Sequence, residues 1–167
     1  LFIAIGFVVF ICSIIAVNNK SENRAVGIAG ISFAGIYAAI IFLVYFSEIT
    51  TVRMNNTLSE EVLSIISYGY TGSLFFNYDL LGYAMMALST FLSAFAIIPK
   101  DKGDKALRLL LWIHGVFFLP CLIIPMFPVF KAGASVLFGT ILLETWCAYF
   151  LPICILGFRY FRTSENH

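Results

Sequence analysis

Three ionisable side chains lie inside long apolar stretches of this chain and are the residues best suited to chemistry: Asp79, His114 and Glu144. A charge in hydrocarbon costs roughly 2.5–3.5 kcal/mol on insertion scales, so such side chains usually face a protein interior or a water-filled cavity. An acid in these surroundings can exchange a proton or bind a cation. The three residues therefore predict a polar interior with an ion or proton site.

The predicted depths of these residues differ. We expect Asp79 about two helical turns below the outer surface, Glu144 near mid-membrane, and His114 about two turns in from the cytoplasmic end. Glu144 shares a helix face with Thr140 and Cys147, which predicts a semi-polar environment for its carboxyl group. Together the three side chains predict a path for protons or cations across the membrane.

A structural role is the alternative for each residue. A protonated Glu144 can donate one hydrogen bond to a backbone carbonyl freed by a proline-broken helix and do nothing more. Asp79 could be solvated near the interface, and His114 could bond a backbone carbonyl. The sequence leaves these alternatives open because it does not give the order of the helices.

The stretch that must position Asp79 covers residues 73–98. About 20 residues at ~1.5 Å each span the ~30 Å of hydrocarbon in a bilayer, and this stretch is longer. At about 100° per residue, one arc of the helix carries small or slightly polar side chains. These are Asp79, Gly82, Met86, Ser89, Ser93 and Ala96. The pattern predicts a helix with its small face against other helices and its bulky face toward lipid.

The composition predicts an integral membrane protein: 61% of the residues are hydrophobic and only 11% are charged, against about a quarter charged in soluble domains. The apolar runs are continuous and not alternating, which excludes a β-barrel. We therefore expect an all-α bundle of five transmembrane helices in a single polytopic domain. The predicted spans are residues 1–17, 25–47, 73–98, 106–130 and 134–158. Because the chain begins with Leu1 inside an apolar run, we expect the first span to be truncated.

Two spans have further patterns. The second carries a seam of small residues, Gly27, Gly30, Ala34 and Ala38, that would let a neighbouring helix approach closely. The fourth and fifth contain helix-kinking prolines, Pro120, Pro125, Pro128 and Pro152. We expect the fourth span to be regular helix to about Leu119 and kinked or partly unwound beyond it. Between the second and third spans, Thr57 and Glu60 form a capping-box pattern that predicts a short interfacial helix over about 59–67.

The positive charges predict the topology. Eight of the ten Lys and Arg residues fall on one side of the predicted spans and two on the other. The eight are Lys20, Arg24, Lys100, Lys102, Lys105, Arg108, Arg159 and Arg162; the two are Arg53 and Lys131. The positive-inside rule then predicts a multi-pass cell-membrane protein with a cytoplasmic C-terminus and the loop 48–72 outside.

Several function classes lack their motifs. No metalloprotease, serine-hydrolase, phosphate-loop or dinucleotide motif occurs, and the scattered cations give nucleic-acid binding no support. Four cysteines, Cys12, Cys121, Cys147 and Cys154, lie in apolar runs and predict buried thiols, with no metal site. We expect no cofactor, and partners limited to the lipid bilayer and either a second copy or a partner subunit.

The leading functional prediction is a small transporter-like or channel-like protein, or a subunit of one, whose intramembrane acids line a polar interior. The second is a non-catalytic accessory or scaffold protein that binds partner helices through the seam of small residues. The third is a membrane-embedded lipid-modifying enzyme. It ranks last because no nucleophile–base pair is visible, so the sequence favours a protein without enzymatic activity.

Overall fold

The structure is a computed structural model that describes residues 1–127 and 136–164, the side chains of 136–143 excepted. Every regular element in these ranges is a helix, which confirms the all-α fold class for them. The α-helices are α1 (Phe2–Val17), α2 (Arg24–Ser47), α3 (Glu60–Ile66), α4 (Leu74–Ala96), α5 (Lys102–His114), α6 (Phe118–Ile123) and α7 (Val136–Ser164). Short turns of other helix types cover Glu48–Val52, Gly115–Phe117 and Ile124–Met126.

Three helical stretches are long and apolar enough to cross a membrane: Arg24–Val52, Leu74–Ala96 and Lys102–Met126. The helix α1 is apolar but shorter, and the described part of α7 does not add a fourth stretch. Insertion into a membrane, the count of five spans and the sidedness of the ends remain predictions.

The helix α4 is the centre of the bundle, packed between α2 on one side and α5 with α6 on the other. Every member of the small face predicted for it is buried: Asp79, Gly82, Met86, Ser89, Ser93 and Ala96. The small face therefore packs inside the bundle, and the orientation of the bulky face toward lipid stays a prediction. Small side chains at these positions let the neighbouring backbones approach closely, so dispersion contacts and interhelical hydrogen bonds can form.

The seam of small residues on α2 meets α4 of the same chain. The Ser89 hydroxyl donates a 2.7 Å hydrogen bond to the Gly30 carbonyl oxygen across the contact. A Cβ added to Gly30 would lie 3.0 Å from the Ser89 carbonyl oxygen and 3.2 Å from the Ser93 backbone nitrogen. Gly27 and Ala34 are buried in the same contact region, and Ala38 is half-buried. The seam thus packs within the molecule and is not open to a partner helix.

The helix ends that carry most of the cations meet at one end of the bundle, here called the basic end (residues 18–24, 97–105 and 159–162). Asn18 is 3% exposed and joins three segments there. Its Oδ1 accepts hydrogen bonds from the Ile98 backbone N–H at 3.0 Å and the Tyr160 hydroxyl at 2.8 Å. Its Nδ2 donates to the Ile14 carbonyl oxygen at 2.7 Å. In the sequence, Asn18 lies just after the first predicted span, and no pattern there predicted these bonds.

Replacing Asn18 with alanine will lower the stability of the bundle by roughly 2 kcal/mol, because the buried Tyr160 hydroxyl and the partly buried Ile98 N–H lose their acceptor. The measurement is the free energy of unfolding in detergent micelles, followed by tryptophan fluorescence. Asn19→Ala is the matched control, since Asn19 is the exposed neighbour of Asn18. Equal stability of the two variants would contradict the role assigned to Asn18.

The fourth predicted span breaks earlier than expected. The α-helix ends at His114 and tightens into a 3₁₀ turn over Gly115–Phe117, whereas regular helix was predicted to about Leu119. Pro120 lacks the N–H that would bond the carbonyl four residues earlier, and its ring clashes with that carbonyl. The distortion therefore falls on the turn before the proline. Pro125 lies in a second 3₁₀ turn, while Pro128 lies outside the described residues.

Two further helix boundaries differ from the predictions. The short helix α3 exists, but its cap is Ser59, whose Oγ accepts from the Val62 N–H at 3.3 Å. The Thr57 hydroxyl instead donates to Asn55 Oδ1, so the predicted capping box is wrong. The helix α7 continues through Pro152 to Ser164, where a polar tail was expected after 158.

Tertiary contacts account for the extension of α7. Arg159 forms an ion pair with Asp101, and Tyr160 is 3% exposed against Asn18. Phe161 packs edge-on against Phe10 of α1, with ring centroids 5.8 Å apart. These contacts stabilise the last turns of α7, because the buried apolar area and the ion pair offset the conformational entropy lost when those turns are ordered.

The four cysteines are free thiols, but only Cys12 and Cys121 are partly buried. Cys147 and Cys154 are exposed on α7, so the prediction that all four are buried is wrong for these two. A thiol behaves as a small apolar group, and such groups tolerate either a protein or a lipid environment. The apolar runs around the cysteines therefore did not determine which way they face.

Candidate functional site

Asp79 lies on α4 about two turns from the start of the helix. The start is fixed by Ser73, whose Oγ accepts a hydrogen bond from the Phe76 N–H at 3.3 Å. Asp79 is 4% exposed, and its Oδ1 has no hydrogen-bond partner within residues 1–127 and 144–164. The prediction that Asp79 faces the interior is consistent with this burial, whereas the alternative of a solvated interfacial acid is not. A buried carboxylate with an unpartnered oxygen is costly and is normally avoided in a purely structural role.

Four tyrosines lie close enough to Asp79 to interact with its charge, and we call them the tyrosine cluster: Tyr37, Tyr45, Tyr68 and Tyr83. Two come from α2, one from the loop after α3, and one from α4 itself. Tyr45 is a close neighbour of both the Asp79 carboxylate and Tyr68. The ring centroids of Tyr37 and Tyr83 are 6.2 Å apart, and those of Tyr45 and Tyr68 are 5.8 Å apart. The carboxylate thus lies among phenol groups.

The tyrosine cluster reaches the bundle end opposite the basic end, here called the loop end (residues 48–73). The backbone N–H of Tyr68 donates to Glu48 Oε1 at 2.5 Å, and the Ser67 hydroxyl donates to Glu48 Oε2 at 3.3 Å. Burial raises the pKa of Tyr68, and the nearby Asp79 carboxylate raises it further. The two hydrogen bonds to Glu48 therefore hold the loop that carries Tyr68 in place. The negative charge of Asp79 acts on the Tyr68 hydroxyl group.

His114 is fully buried and belongs to a separate network. The Trp146 indole N–H donates to His114 Nε2 at 2.7 Å, so Nε2 is an acceptor and the proton of the neutral ring is on Nδ1. Nδ1 lies 2.7 Å from the Thr90 hydroxyl, which donates to the Ala87 carbonyl oxygen at 2.8 Å. Every proton in this chain of bonds has an acceptor. We call these three side chains (Thr90, His114 and Trp146) the histidine latch, because they connect α4, α5 and α7.

The latch does not form a catalytic site. Thr90 and His114 make a hydroxyl–imidazole pair, as nucleophile and base do in some hydrolases. Both side chains are 0% exposed, and the Thr90 proton already bonds a backbone carbonyl. No substrate can approach this hydroxyl, and the imidazole nitrogen beside it carries a proton in the neutral ring. The pair therefore stabilises the packing of three helices.

Glu144 is exposed on α7 and makes no hydrogen bond or ion pair with any described residue. The structure does not bring it together with Asp79 or His114. Its predicted face partner Thr140 lies where side chains are not described, and Cys147 on that face is exposed. Two residues along the helix, Trp146 points inward to the latch, so α7 turns Glu144 away from the contact that Trp146 makes.

The aromatic pair Tyr83 and Trp146 joins the two networks. Their ring centroids lie 3.9 Å apart at an interplanar angle of 60°. Tyr83 belongs to the tyrosine cluster around Asp79, and Trp146 is held by His114. The space between the Asp79 region and the histidine latch is therefore filled by aromatic rings.

An open cleft of about 270 Å³ lies at the loop end beside the start of α4. Its lining includes Phe76 and Asn77 of α4 and Pro125 of the second 3₁₀ turn. The segment with the predicted proline kinks thus borders a cleft, while Asp79 does not line it. Phe76 of this lining also packs near Tyr68 of the tyrosine cluster, with ring centroids 6.3 Å apart.

Sequence analysis missed several polar residues that organise these networks: Asn18, Glu48, Tyr45, Tyr68 and Thr90. Each occurs at a helix end or singly on an apolar helix, where its partners come from distant parts of the chain. Tyr37 and Tyr83 could have been grouped with Asp79 only if the pairing of α2 with α4 had been known. The small faces on both helices were the available signal for that pairing.

In the ranges 1–127 and 144–164, no group of three His, Cys, Asp or Glu side chains is arranged to hold a metal ion. The chemistry that the site can support is therefore that of one buried carboxyl group with phenol neighbours. No protein family model, no curated protein and no solved structure matches this chain.

Proposed function

We propose that this chain is a small multi-pass membrane protein of transporter-like or channel-like type, or a subunit of one, in which Asp79 binds the transported ion or proton. The observation that carries the proposal is that Oδ1 of Asp79 has no hydrogen-bond partner in the described part of the chain, although the side chain is only 4% exposed. Structural carboxylates in protein interiors are normally paired with cations or fully hydrogen-bonded. An unsatisfied one is costly in lipid, and such residues commonly mark ion or proton pathways.

The proposal gives Glu144 no role. Glu144 is exposed and makes no hydrogen bond with a described residue, whereas Asp79 is buried among four phenols. The two acids therefore serve as a matched pair, since both are single carboxylates on apolar helices and they differ in burial.

The scaffold alternative receives less support. It requires the small-residue seam of α2 to be available to a partner helix, but Gly30 accepts a hydrogen bond from Ser89 of α4. The enzyme alternative also receives less support, since the hydroxyl–imidazole pair of Thr90 and His114 is inaccessible.

Flux measurements in proteoliposomes test the proposal. The full chain is reconstituted, and the fluxes of protons, Na⁺, K⁺ and ammonium are measured under imposed gradients. We expect at least one flux above that of empty vesicles. That flux should fall by about tenfold or more in Asp79→Asn, because a positioned proton-transfer group typically contributes at least this factor to a rate. Glu144→Gln should retain the wild-type flux. If Asp79→Asn retains every flux, the proposal is wrong.

A further inference from the structure

We propose that Arg108, just inside the basic end, binds the phosphate group of an anionic phospholipid. The site requires the membrane location of the proposed function and is independent of the ion or proton that Asp79 binds. Three features of the molecule support it: a partly buried guanidinium without an anion, an aromatic ring that holds this guanidinium, and an exposed strip of α5 beside it.

Arg108 carries a partly buried charge that has no carboxylate partner. Its side chain is half-buried on α5, and its Nε is buried without a hydrogen-bond partner in the described residues. In the same ranges the ion pair that forms is between Arg159 and Asp101, and none reaches Arg108. Buried cations are normally paired, because a charge that loses its hydration is costly unless an anion replaces the water. Arg108 therefore lacks the anion that its burial requires.

The two acids at the start of α5 are engaged elsewhere. Asp104 lies one turn before Arg108, at the spacing of a helical ion pair. Its Oδ2 instead accepts a hydrogen bond from the Lys100 backbone N–H at 2.8 Å. Asp101 pairs with Arg159, and its Oδ1 accepts from the Asp104 N–H at 2.9 Å. Neither carboxylate is available to Arg108 in this packing.

Trp112 holds the Arg108 guanidinium in place. The guanidinium carbon lies 4.7 Å from the centroid of the Trp112 ring, which is a cation–π contact. Trp112 in turn packs against Phe95 of α4, with ring centroids 5.3 Å apart. A side chain that is already ordered loses less entropy when a ligand binds. The terminal nitrogens of Arg108 make no hydrogen bond within the described ranges, and such a pair can donate in parallel to two phosphate oxygens.

The exposed side of α5 next to Arg108 changes from cationic to apolar along the helix. Its exposed residues are, in chain order, Lys102, Lys105, Leu109, Ile113 and, in the following turn, Val116. Arg108 lies where the two parts meet, six residues or ~9 Å from the start of α5. A ligand with an anionic head and apolar chains matches this order, whereas a soluble anion leaves the apolar part uncovered. The strip therefore favours a phospholipid.

The surrounding charges favour an anionic headgroup over a zwitterionic one. Eight of the ten Lys and Arg residues were assigned to this side from the sequence. A choline headgroup would place its quaternary ammonium near Lys102 and Lys105, and the nearby acids Asp101 and Asp104 are engaged. Basic segments beside a membrane attract anionic lipids for the same reason.

Native mass spectrometry of the full chain in detergent tests the site. Phosphatidylglycerol is added, and the fraction of protein that carries one lipid gives the dissociation constant. Phosphatidylcholine with the same acyl chains is the comparison and should bind several-fold more weakly. Arg108→Gln should weaken the binding of phosphatidylglycerol by about tenfold, because it removes a charged hydrogen-bond donor.

Two further variants separate the site from general attraction to a positive surface. Arg24→Gln removes the same charge from an exposed arginine at the basic end, so it should change the affinity less than twofold. Arg108→Lys keeps the charge but cannot form two parallel bonds, so it should weaken binding several-fold. Arg108→Lys also provides the test if Arg108→Gln does not fold, which the unfolding midpoint in lipid-free micelles shows.

Four results would overturn the inference. The first is an equal loss of affinity in Arg108→Gln and Arg24→Gln, since total charge alone would then attract the lipid. The second is equal binding of the two phospholipids, and the third is wild-type affinity in Arg108→Lys. The fourth is full displacement of phosphatidylglycerol by millimolar inorganic phosphate, which would identify a soluble anion as the ligand. We expect inorganic phosphate to leave the lipid bound.

The lipid site and the transport function fail independently. Asp79→Asn should bind phosphatidylglycerol with wild-type affinity, because Asp79 lies near the opposite end of α4. If no flux depends on Asp79 while lipid binding depends on Arg108, the proposed transport is wrong and the lipid site stands. The reverse pattern leaves the transport function in place and overturns the lipid site.

Discussion

Replacing Gly30 with valine will destabilise the bundle by roughly 3 kcal/mol, at the upper end of the usual cost of overpacking. A single Cβ at this position already meets the Ser89 carbonyl oxygen at 3.0 Å and the Ser93 nitrogen at 3.2 Å. Backbone atoms cannot rotate away, so α2 and α4 must separate. Their separation also breaks the 2.7 Å hydrogen bond from Ser89 to Gly30. The measurement is the unfolding free energy in detergent micelles.

Gly35→Val is the matched control for Gly30→Val. Gly35 lies on the exposed face of the same helix, and a Cβ there would meet no atom within 4 Å. Valine and glycine have helix propensities that differ by only a few tenths of a kcal/mol, so the control should remain close to wild type. Similar losses of unfolding free energy in both variants would show that valine destabilises the helix α2 itself and does not act through the contact with α4.

Replacing His114 with alanine will cost roughly 3–4 kcal/mol, a sum of lost packing and unsatisfied donors. The imidazole is 0% exposed and bonds Thr90 and Trp146 at 2.7 Å each. Its loss leaves the Trp146 N–H without an acceptor and opens a cavity between α4, α5 and α7. Chemical unfolding in micelles measures the loss, and a changed emission of Trp146 should accompany it.

A pair of tryptophan variants separates hydrogen bonding from packing in the histidine latch. Trp146→Phe removes an indole N–H that bonds His114, whereas the buried N–H of Trp112 has no partner in the described residues. Trp146→Phe should therefore destabilise the protein more than Trp112→Phe does. The reverse order would contradict the hydrogen bond assigned to His114 Nε2.

The contact between Tyr83 and Trp146 joins the histidine latch, which stabilises the bundle, to the region of Asp79, where we propose that the ion or proton binds. Tyr83 belongs to the tyrosine cluster around Asp79, and Trp146 is fixed by the histidine latch. Any movement that opened Asp79 toward the basic end would have to displace these rings. The latch thus holds Trp146 in the position where its ring contacts Tyr83.

The helix α4 shows how much a sequence pattern can predict. Its length, its limits near residues 73 and 98, and its buried small face all agree with the structure. The reason is that a small face repeats with the period of the helix, so one stretch of sequence contains the whole signal. The small residues of α2 gave the complementary face by the same logic.

Glu144 shows where such patterns stop. An acid in an apolar stretch was expected to face inward, but Glu144 is exposed while its neighbour Trp146 points to His114. Which side of α7 faces the bundle depends on contacts with α1, α4 and α5, which are distant in sequence. The helix break after His114 had a local cause in Pro120, yet its position shifted by about one turn.

The sequence by itself determined the helical class, the apolar segments and the small face that buries Asp79, because each of these properties repeats along a single stretch of chain. Only the tertiary structure decided that Asp79 lies among Tyr45, Tyr68 and Tyr83, that His114 is committed to Thr90 and Trp146, and that Glu144 is left outside. The physical reason is that hydrogen-bond partners in a helical bundle come from different helices, and their pairing is set by packing, which no single segment encodes.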